Sequence, residues 1–266
     1  MNSLFFAEMN ILVTNDDGIN SQGIYALVTA LKGIGNVIVM APLGEQSAVG
    51  HALTVSLPLR VTEFHKDGNF FGYAVSGTPA DCVKLALRTF LKEKELPIPD
   101  IVISGINHGR NTAGNVIYSG TVSAATEATV LDVPAFAISL TSYHQNADFS
   151  VAANFAKRFA PYVVKSGLPK GTLLNVNIPA CKENELEGIS YTRQGKSYWN
   201  DMFERRLDPQ ERPYYWLKGH YILEDVDEDI DDIAIRENRI SISPIHYDLT
   251  NYVFLDEMRR NWKDKF

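Results

Sequence analysis

Apolar runs alternate along the chain with stripes at helical spacing. Ile11-Leu12-Val13 is a run of branched apolar residues that ends abruptly in Asn15-Asp16-Asp17-Gly18. That pattern predicts a strand buried on both faces that stops in a tight turn. Ser21 stands where an N-cap belongs, and Ile24, Leu27, Val28 and Leu31 follow at helical spacing as far as Gly33 and Gly35. Val37-Ile38-Val39-Met40 is the next strand. Residues 41–53 hold a proline and two glycines and read as a loop, and residues 54–75 alternate as two or three short strands about Lys66-Asp67-Gly68-Asn69. Thr78, Pro79 and Asp81 supply the N-cap, first position and acidic third position of a second helix, with Val83, Leu85, Ala86, Leu87 and Phe90 on its apolar side.

The same alternation continues. Ile101-Val102-Ile103 runs into a loop over 104–115 that carries three glycines and three asparagines. Ser119-Gly120-Thr121 then opens an alanine-rich helix over 122–131. Residues 133–140 and 171–179 are strands, and Phe149, Ala152, Ala153, Ala156, Phe159 and Ala160 line the helix between them. Repeated βα units predict an α/β fold over 9–187: a Rossmann-like, mostly parallel, doubly wound sheet. Beyond Glu187 helical periodicity fades while aromatic and charged residues accumulate. Residues 188–246 therefore read as an extended C-terminal arm or small subdomain for oligomerisation, bracketed by strands at 189–192 and 239–243. The acidic run at 224–232 within it reads as a solvated loop. Residues 247–266 read as a C-terminal helix with Leu255, Met258 and Trp262 on one face, and residues 1–8 as a short extension.

Composition narrows the partners. The chain has 266 residues and a formal net charge of −7, which argues against nucleic acid as a generic electrostatic partner. Cys82 and Cys181 are the only cysteines, far apart, so neither a disulfide framework nor a cysteine metal site is expected. The N-terminal residues lack the basic start and apolar length of a signal peptide, and no window approaches a membrane span. A cytoplasmic, reducing location is the expectation.

The candidate chemistry follows from topology. Loops at the carboxyl ends of parallel strands meet on one edge of a sheet. Asp16 and Asp17, Ser47, Asn107 and Ser119 to Thr121 all follow strands or open the next helix. Asp-Asp-Gly alone also suits an ordinary acidic turn, and Ser119-Gly120-Thr121 also suits simple capping. Together, two carboxylates, a hydroxyl and an amide oxygen make an all-oxygen set for Mg²⁺, Mn²⁺ or Ca²⁺ rather than zinc. A hard cation beside an anion-binding helix start suits phosphate ester hydrolysis. His51 and His108 lie in the same loops and read as incidental. The glycines after the first strand do not form a dinucleotide fingerprint.

Five motifs in this order resemble the SurE (survival protein E) family of 5′-nucleotidases. They are Asn15-Asp16-Asp17-Gly18, Gly77-Thr78-Pro79-Ala80-Asp81-Cys82, Ser104-Gly105-Ile106-Asn107 with Gly109 and Asn111, Tyr118-Ser119-Gly120-Thr121-Val122, and Asn175-Val176-Asn177-Ile178-Pro179. The resemblance spans nearly the whole chain. It implies one divalent metal ion per subunit, Mg²⁺ or Mn²⁺ first and Ca²⁺ in a crystal, on Asp16, Asp17, Ser47 and Asn107. It implies a nucleoside monophosphate substrate held by Asn15, Asn111, Ser119, Gly120 and Thr121, with Asp16, Asp17 and Asn111 carrying the reaction. It further implies a homodimer or homotetramer that exchanges C-terminal segments. Many members have a basic residue just before the metal serine; this chain has Gln46, which leaves the metal set intact and the charge preference for substrate open. Two other readings stand beside it: a phosphatase of wider range taking 3′-nucleotides or short polyphosphate, and a non-catalytic nucleotide-binding regulator.

Overall fold

A computed structural model describes residues 9–262. The extension before Met9 and the last four residues of the C-terminal segment lie outside them. The chain opens β1 (Met9–Thr14), α1 (Gln22–Leu31), β2 (Gly35–Pro42), β3 (Val61–Lys66) and β4 (Asn69–Val75). It continues through α2 (Pro79–Leu85), a π-helical turn (Ala86–Phe90), α3 (Leu91–Glu93), β5 (Ile101–His108), α4 (Asn115–Tyr118), α5 (Gly120–Val130), β6 (Ala135–Leu140), α6 (Ser150–Ser166) and β7 (Thr172–Ile178). The last part is β8 (Ile189–Tyr191), β9 (Tyr198–Leu207), β10 (Pro213–Ile222), α7 (Asp231–Arg236), β11 (Ile240–His246) and α8 (Tyr252–Asn261).

Nine strands form one sheet in the order β3-β4-β2-β1-β5-β6-β7-β11-β8. Strands β4, β2, β1, β5, β6 and β7 are mutually parallel, while β3 and β11 run antiparallel to β4 and β7. Alternate side chains of β1 explain why Ile11-Leu12-Val13 is continuously apolar. Ile11 and Val13 join the core under α1 and α6; Leu12 joins the core under α2 and α5 on the other face. The doubly wound expectation holds. On α1, Ile24, Leu27, Val28 and Leu31 are each at most 1 % exposed, and full burial of one such side chain contributes roughly 1.5–3 kcal/mol.

Local signals act as their residue types require. Ser21 caps α1, and Thr78 with Asp81 completes a capping box at α2. Asp67 and Gly68 both take positive φ between β3 and β4, the requirement of a two-residue hairpin turn. Three expectations need correction. The stretch from Ser104 to His108 is not loop: β5 continues through it, with its register against β6 shifting between Ser104 and Asn107. Residues 54–60 form no strand. The acidic run is not wholly solvated either, because Asp231 and Asp232 are 0 % exposed.

Past residue 187 the chain does two things. Strands β8 and β11 extend the main sheet, whereas β9 and β10 pair over ten residues each as a separate hairpin. Its large aromatics, among them Phe203, Tyr215 and Trp216, remain exposed within the single chain. No residue of α8 is buried. No helix among the described residues is long and apolar enough to cross a membrane.

The closest packing restraint lies where α1 crosses β5. A Cβ on Gly23 would stand 2.0 Å from the Ile106 carbonyl oxygen. Gly23→Ala is therefore expected to lower stability by about 1–3 kcal/mol through overpacking, although helix propensity alone would raise it by about 1 kcal/mol. Thermal unfolding decides the sign, and a higher Tm would show that α1 moves aside freely.

Candidate active site

The site begins where β1 ends. Asp16 is 7 % exposed, and its Oδ1 accepts a hydrogen bond of 2.5 Å from the Thr121 hydroxyl. Gly120 is needed for that approach: a Cβ there would come within 2.8 Å of the Asp16 Cβ. Asn15 donates through Nδ2 to the Gly18 carbonyl at 3.0 Å and to Ser21 Oγ at 2.8 Å, which ties the turn to the start of α1. Asp17 Oδ2 accepts from the His108 N–H at 3.2 Å. The loop bearing Ser47 is anchored by the Gln46 N–H, which donates to the Asp16 carbonyl at 2.7 Å.

Three further donors come from other elements. Asn107 donates through Nδ2 to the Gly109 carbonyl at 2.8 Å, which leaves its amide oxygen free as a ligand. Ser119 caps α5 by accepting from the Val122 N–H at 3.1 Å, and its hydroxyl hydrogen remains to meet an anion. The Asn111 N–H donates to Asn177 Oδ1 at 2.8 Å, and its carbonyl accepts from Nδ2 of both Asn175 and Asn177 at 2.7 and 3.0 Å. The Asn111 side chain donates to Ser139 Oγ at 3.0 Å, spending one of its two amide hydrogens.

These groups surround a cleft of about 550 Å³ lined by Asp16, Asp17, Glu45, Ser47, Asn107, His108, Arg110, Asn111 and Ser119, with Tyr118, Tyr143 and Trp199 also on its walls. The sequence-predicted residues thus converge, with a division of labour that spacing did not show. Asn15, Gly120 and Thr121 are buried behind Asp16 and Asp17. Asn15 Nδ2 shapes the turn, the Thr121 hydroxyl holds Asp16 and Gly120 packs against the Asp16 Cβ, so none of the three presents a side chain among the residues that line the cleft. Ser47 is exposed, and its hydroxyl donates to Glu45 Oε1 at 2.5 Å. Of the two histidines, His51 turns away to Glu127 at 2.8 Å, beside the Lys84–Glu127 pair at 2.5 Å. His108 meets the His144 carbonyl through its ring at 2.7 Å.

The electrostatics of the cleft are one-sided. Burial holds the Asp16 carboxyl above its ordinary range, against the opposing hydrogen bonds from Thr121. Burial, then the charge of Asp16, pushes Asp17 up to about 7. Glu45 adds negative charge to both. The arginine on the cleft wall is already engaged: Arg110 lies 3.6 Å from Asp232 and 5.3 Å over the Tyr221 ring. No group of three His, Cys, Asp or Glu residues gathers as a metal cluster among the described residues. The donor set is instead two carboxylates, an amide oxygen and a hydroxyl. Such a set fits a hard divalent cation, which would compensate the charge that burial disfavours on both acids.

Sequence reasoning missed the supports behind the loop carrying Asn111. Asp231 accepts from the Ala113 N–H at 2.8 Å and the Gly195 N–H at 3.0 Å. Asp232 accepts from the Thr112 hydroxyl at 2.8 Å and the Tyr221 hydroxyl at 2.7 Å. Gln194 donates to the Ala113 carbonyl at 2.7 Å. An acidic run gives no hint that its last two members are buried by a partner more than a hundred residues away. For Asn175 and Asn177 a signal existed: two asparagines on alternate positions of an otherwise apolar strand need buried partners.

Fold and site together define the class: an α/β protein of Rossmann-like topology with an acidic cleft at the carboxyl edge of its parallel strands. Within that class the chain belongs to the SurE family, whose model, described as Survival protein SurE, matches residues 11–201. The chain is 48 % identical over 252 residues to 5′-nucleotidase SurE of Syntrophus aciditrophicus, covering 94 % of this chain and 93 % of that protein. It is 46 % identical over 256 residues to 5′-nucleotidase SurE of Chlorobium chlorochromatii, covering 96 % and 92 %. The crystal structure of the SurE protein from Aquifex aeolicus superposes with a TM-score of 0.80 at 39 % identity, over 94 % of this chain and 98 % of that one.

Burial, then the charge of Asp232, raises Asp231 from 3.8 to about 6. A carboxyl raised on folding stabilises fully below its unfolded pKa, and that stability is lost as pH rises through its folded pKa. The loss in stability on Asp231→Asn should therefore be largest near pH 4 and shrink by on the order of 2–3 kcal/mol towards pH 7. Chemical denaturation of both proteins across that range checks it; a constant difference would mean that Asp231 stays ionised in the fold.

Proposed function

We propose that this protein is a divalent-metal-dependent phosphomonoesterase that hydrolyses nucleoside 5′-monophosphates to nucleoside and phosphate. The observation that carries the reading is the pair Asp16 and Asp17, the first buried, the second half-buried and both raised, facing a cleft whose arginine is already engaged. The carboxylates of these walls repel a phosphate dianion unless a cation lies between them. Asp16, Asp17, Asn107 and Ser47 would hold Mg²⁺ or Mn²⁺, which when bound neutralises charge on the phosphoryl group and polarises its P–O bonds.

The remaining work falls to the chain itself. Thr121 fixes one oxygen of Asp16, so the acid is oriented before any ligand arrives. Ser119 and the start of α5 offer a hydroxyl and backbone N–H groups to the phosphate oxygens, and Asn111 offers its remaining amide hydrogen. Water attacks phosphorus, the bond to the nucleoside O5′ breaks, and that oxygen leaves with a proton. Direct attack by water is preferred, since Asp16 stands in no Asp-x-Asp pattern. The relatives named 5′-nucleotidase SurE support the substrate class.

Phosphate release from nucleoside monophosphates should require Mg²⁺ or Mn²⁺ and stop with EDTA. Asp16→Asn and Asp17→Asn should each lose most activity, at least about a hundredfold at the magnitude of lost electrostatic stabilisation in other enzymes, with the circular dichroism of the parent. Wild-type turnover by either variant in metal-buffered solution would sink the reading. A protein that binds nucleotide yet releases no phosphate under any metal would instead be a regulator.

The same reading includes a homodimer or homotetramer, with residues 188–246 and the C-terminal helix against a partner subunit. Exposed aromatics on the β9–β10 hairpin and a helix without buried residues support it. Light scattering at micromolar concentration should give at least a dimer for the intact chain. A well-behaved monomer would exclude this assembly.

A further inference from the structure

We propose that the outer part of the cleft is a nucleobase subsite that works by stacking, with Trp199 as its platform and Tyr143 as a second aromatic wall. The inference rests on the nucleotide reading above and deepens it. Above the acidic floor the walls carry Tyr118, Tyr143 and Trp199, which are 65, 60 and 42 % exposed. Aromatic rings left open to solvent inside a polar cleft are unusual in a side chain that serves only packing, since their burial would itself stabilise the fold.

Two of these rings are held in place. Trp199, the second residue of β9, meets Tyr221 of β10 edge to face, with centroids 5.7 Å apart at 67°. The Tyr221 hydroxyl donates to the buried Asp232 at 2.7 Å, so the brace behind Trp199 is itself anchored. Tyr143 is seated against Gly109, where an added Cβ would stand 2.4 Å from its ring. Rigid aromatic surfaces bind at low entropic cost, and every base has a π-face. Affinity on such a platform follows ring area, so purine nucleotides should be favoured over pyrimidine nucleotides.

The test uses the full-length protein with Mn²⁺ and three substrates: adenosine 5′-monophosphate, cytidine 5′-monophosphate and ribose 5-phosphate, which lacks a base. Trp199→Ala should lower kcat/KM for the adenine nucleotide about tenfold or more, chiefly through KM. That loss should exceed any loss on ribose 5-phosphate at least fivefold, and the purine preference should narrow. Trp199→Phe should restore most of the loss. Equal losses with and without a base, or no loss on the adenine nucleotide, would overturn the proposal. Binding is read separately in the double variant Trp216→Phe/Trp262→Phe, where Trp199 is the only remaining tryptophan. Adenosine should quench its emission saturably, and absence of quenching at saturating nucleoside would overturn the subsite. If the parent turns over neither nucleotide nor ribose 5-phosphate while adenosine still quenches, the hydrolase reading falls and the base subsite stands.

Discussion

Two adjacent carboxylates at the end of one strand, Asp16 buried and Asp17 half-buried, are the constraint on which the structure turns. Moving a charged carboxylate out of water is costly, and a second beside it raises the cost. The chain meets this cost partly with hydrogen bonds and leaves the rest uncompensated. Thr121 and the His108 N–H each satisfy one oxygen. What remains is an electrostatic deficit that points into the cleft, where a cation and an anionic substrate together would cancel it. An ordinary acidic turn would stand in water and be relieved by it; this one is enclosed by α5, by the loop of Ser47 and by β5.

The sheet makes that enclosure possible. Parallel strands bring the ends of β1, β2 and β5 to one edge, where the turn into α1, the loop of Ser47 and the loop leading to α5 begin. Small residues then decide how close the elements come. Gly23 lets α1 approach Ile106, and Gly120 lets α5 approach Asp16. Asp81 spans two tasks in the same manner: besides its capping role it accepts from the Thr54 N–H and hydroxyl at 3.0 and 2.6 Å. It thereby pins the far end of the loop that carries Ser47.

Much of this was legible in the residues. Strands with apolar runs, Ser21 and Thr78 as caps and the Asp67-Gly68 turn are local patterns, and local patterns carry local structure. The convergence of Asp16, Asp17, Ser47, Asn107 and Ser119 followed from parallel topology, and Asn111 joined them through the family resemblance. What could not be read is which side chain in a motif faces the ligand. Thr121 and Ser119 look equivalent in sequence, yet one faces inward to Asp16 and the other lines the cleft, because successive helical residues point about 100° apart. The continuation of β5 through Gly105 was hidden by residues that favour loops. The burial of Asp231 and Asp232 depends on Thr112 and Ala113, a pairing of high sequence separation that no window contains.

That distant pairing explains the charge balance of the site. An arginine on the wall of a phosphate cleft would ordinarily serve as an anion clamp. Here Arg110 faces Asp232 and lies over Tyr221, so its charge is spent on holding the loop of Asn111 against the arm. The cleft is left with acids, amides and hydroxyls. Carboxylates so placed repel a phosphate dianion unless a cation lies between them, so the proposed metal would serve substrate binding as well as chemistry. The same contacts join the loop to β10 and, through Tyr221, to Trp199. Thus the geometry of the site depends on the β9–β10 hairpin, although that hairpin pairs apart from the main sheet.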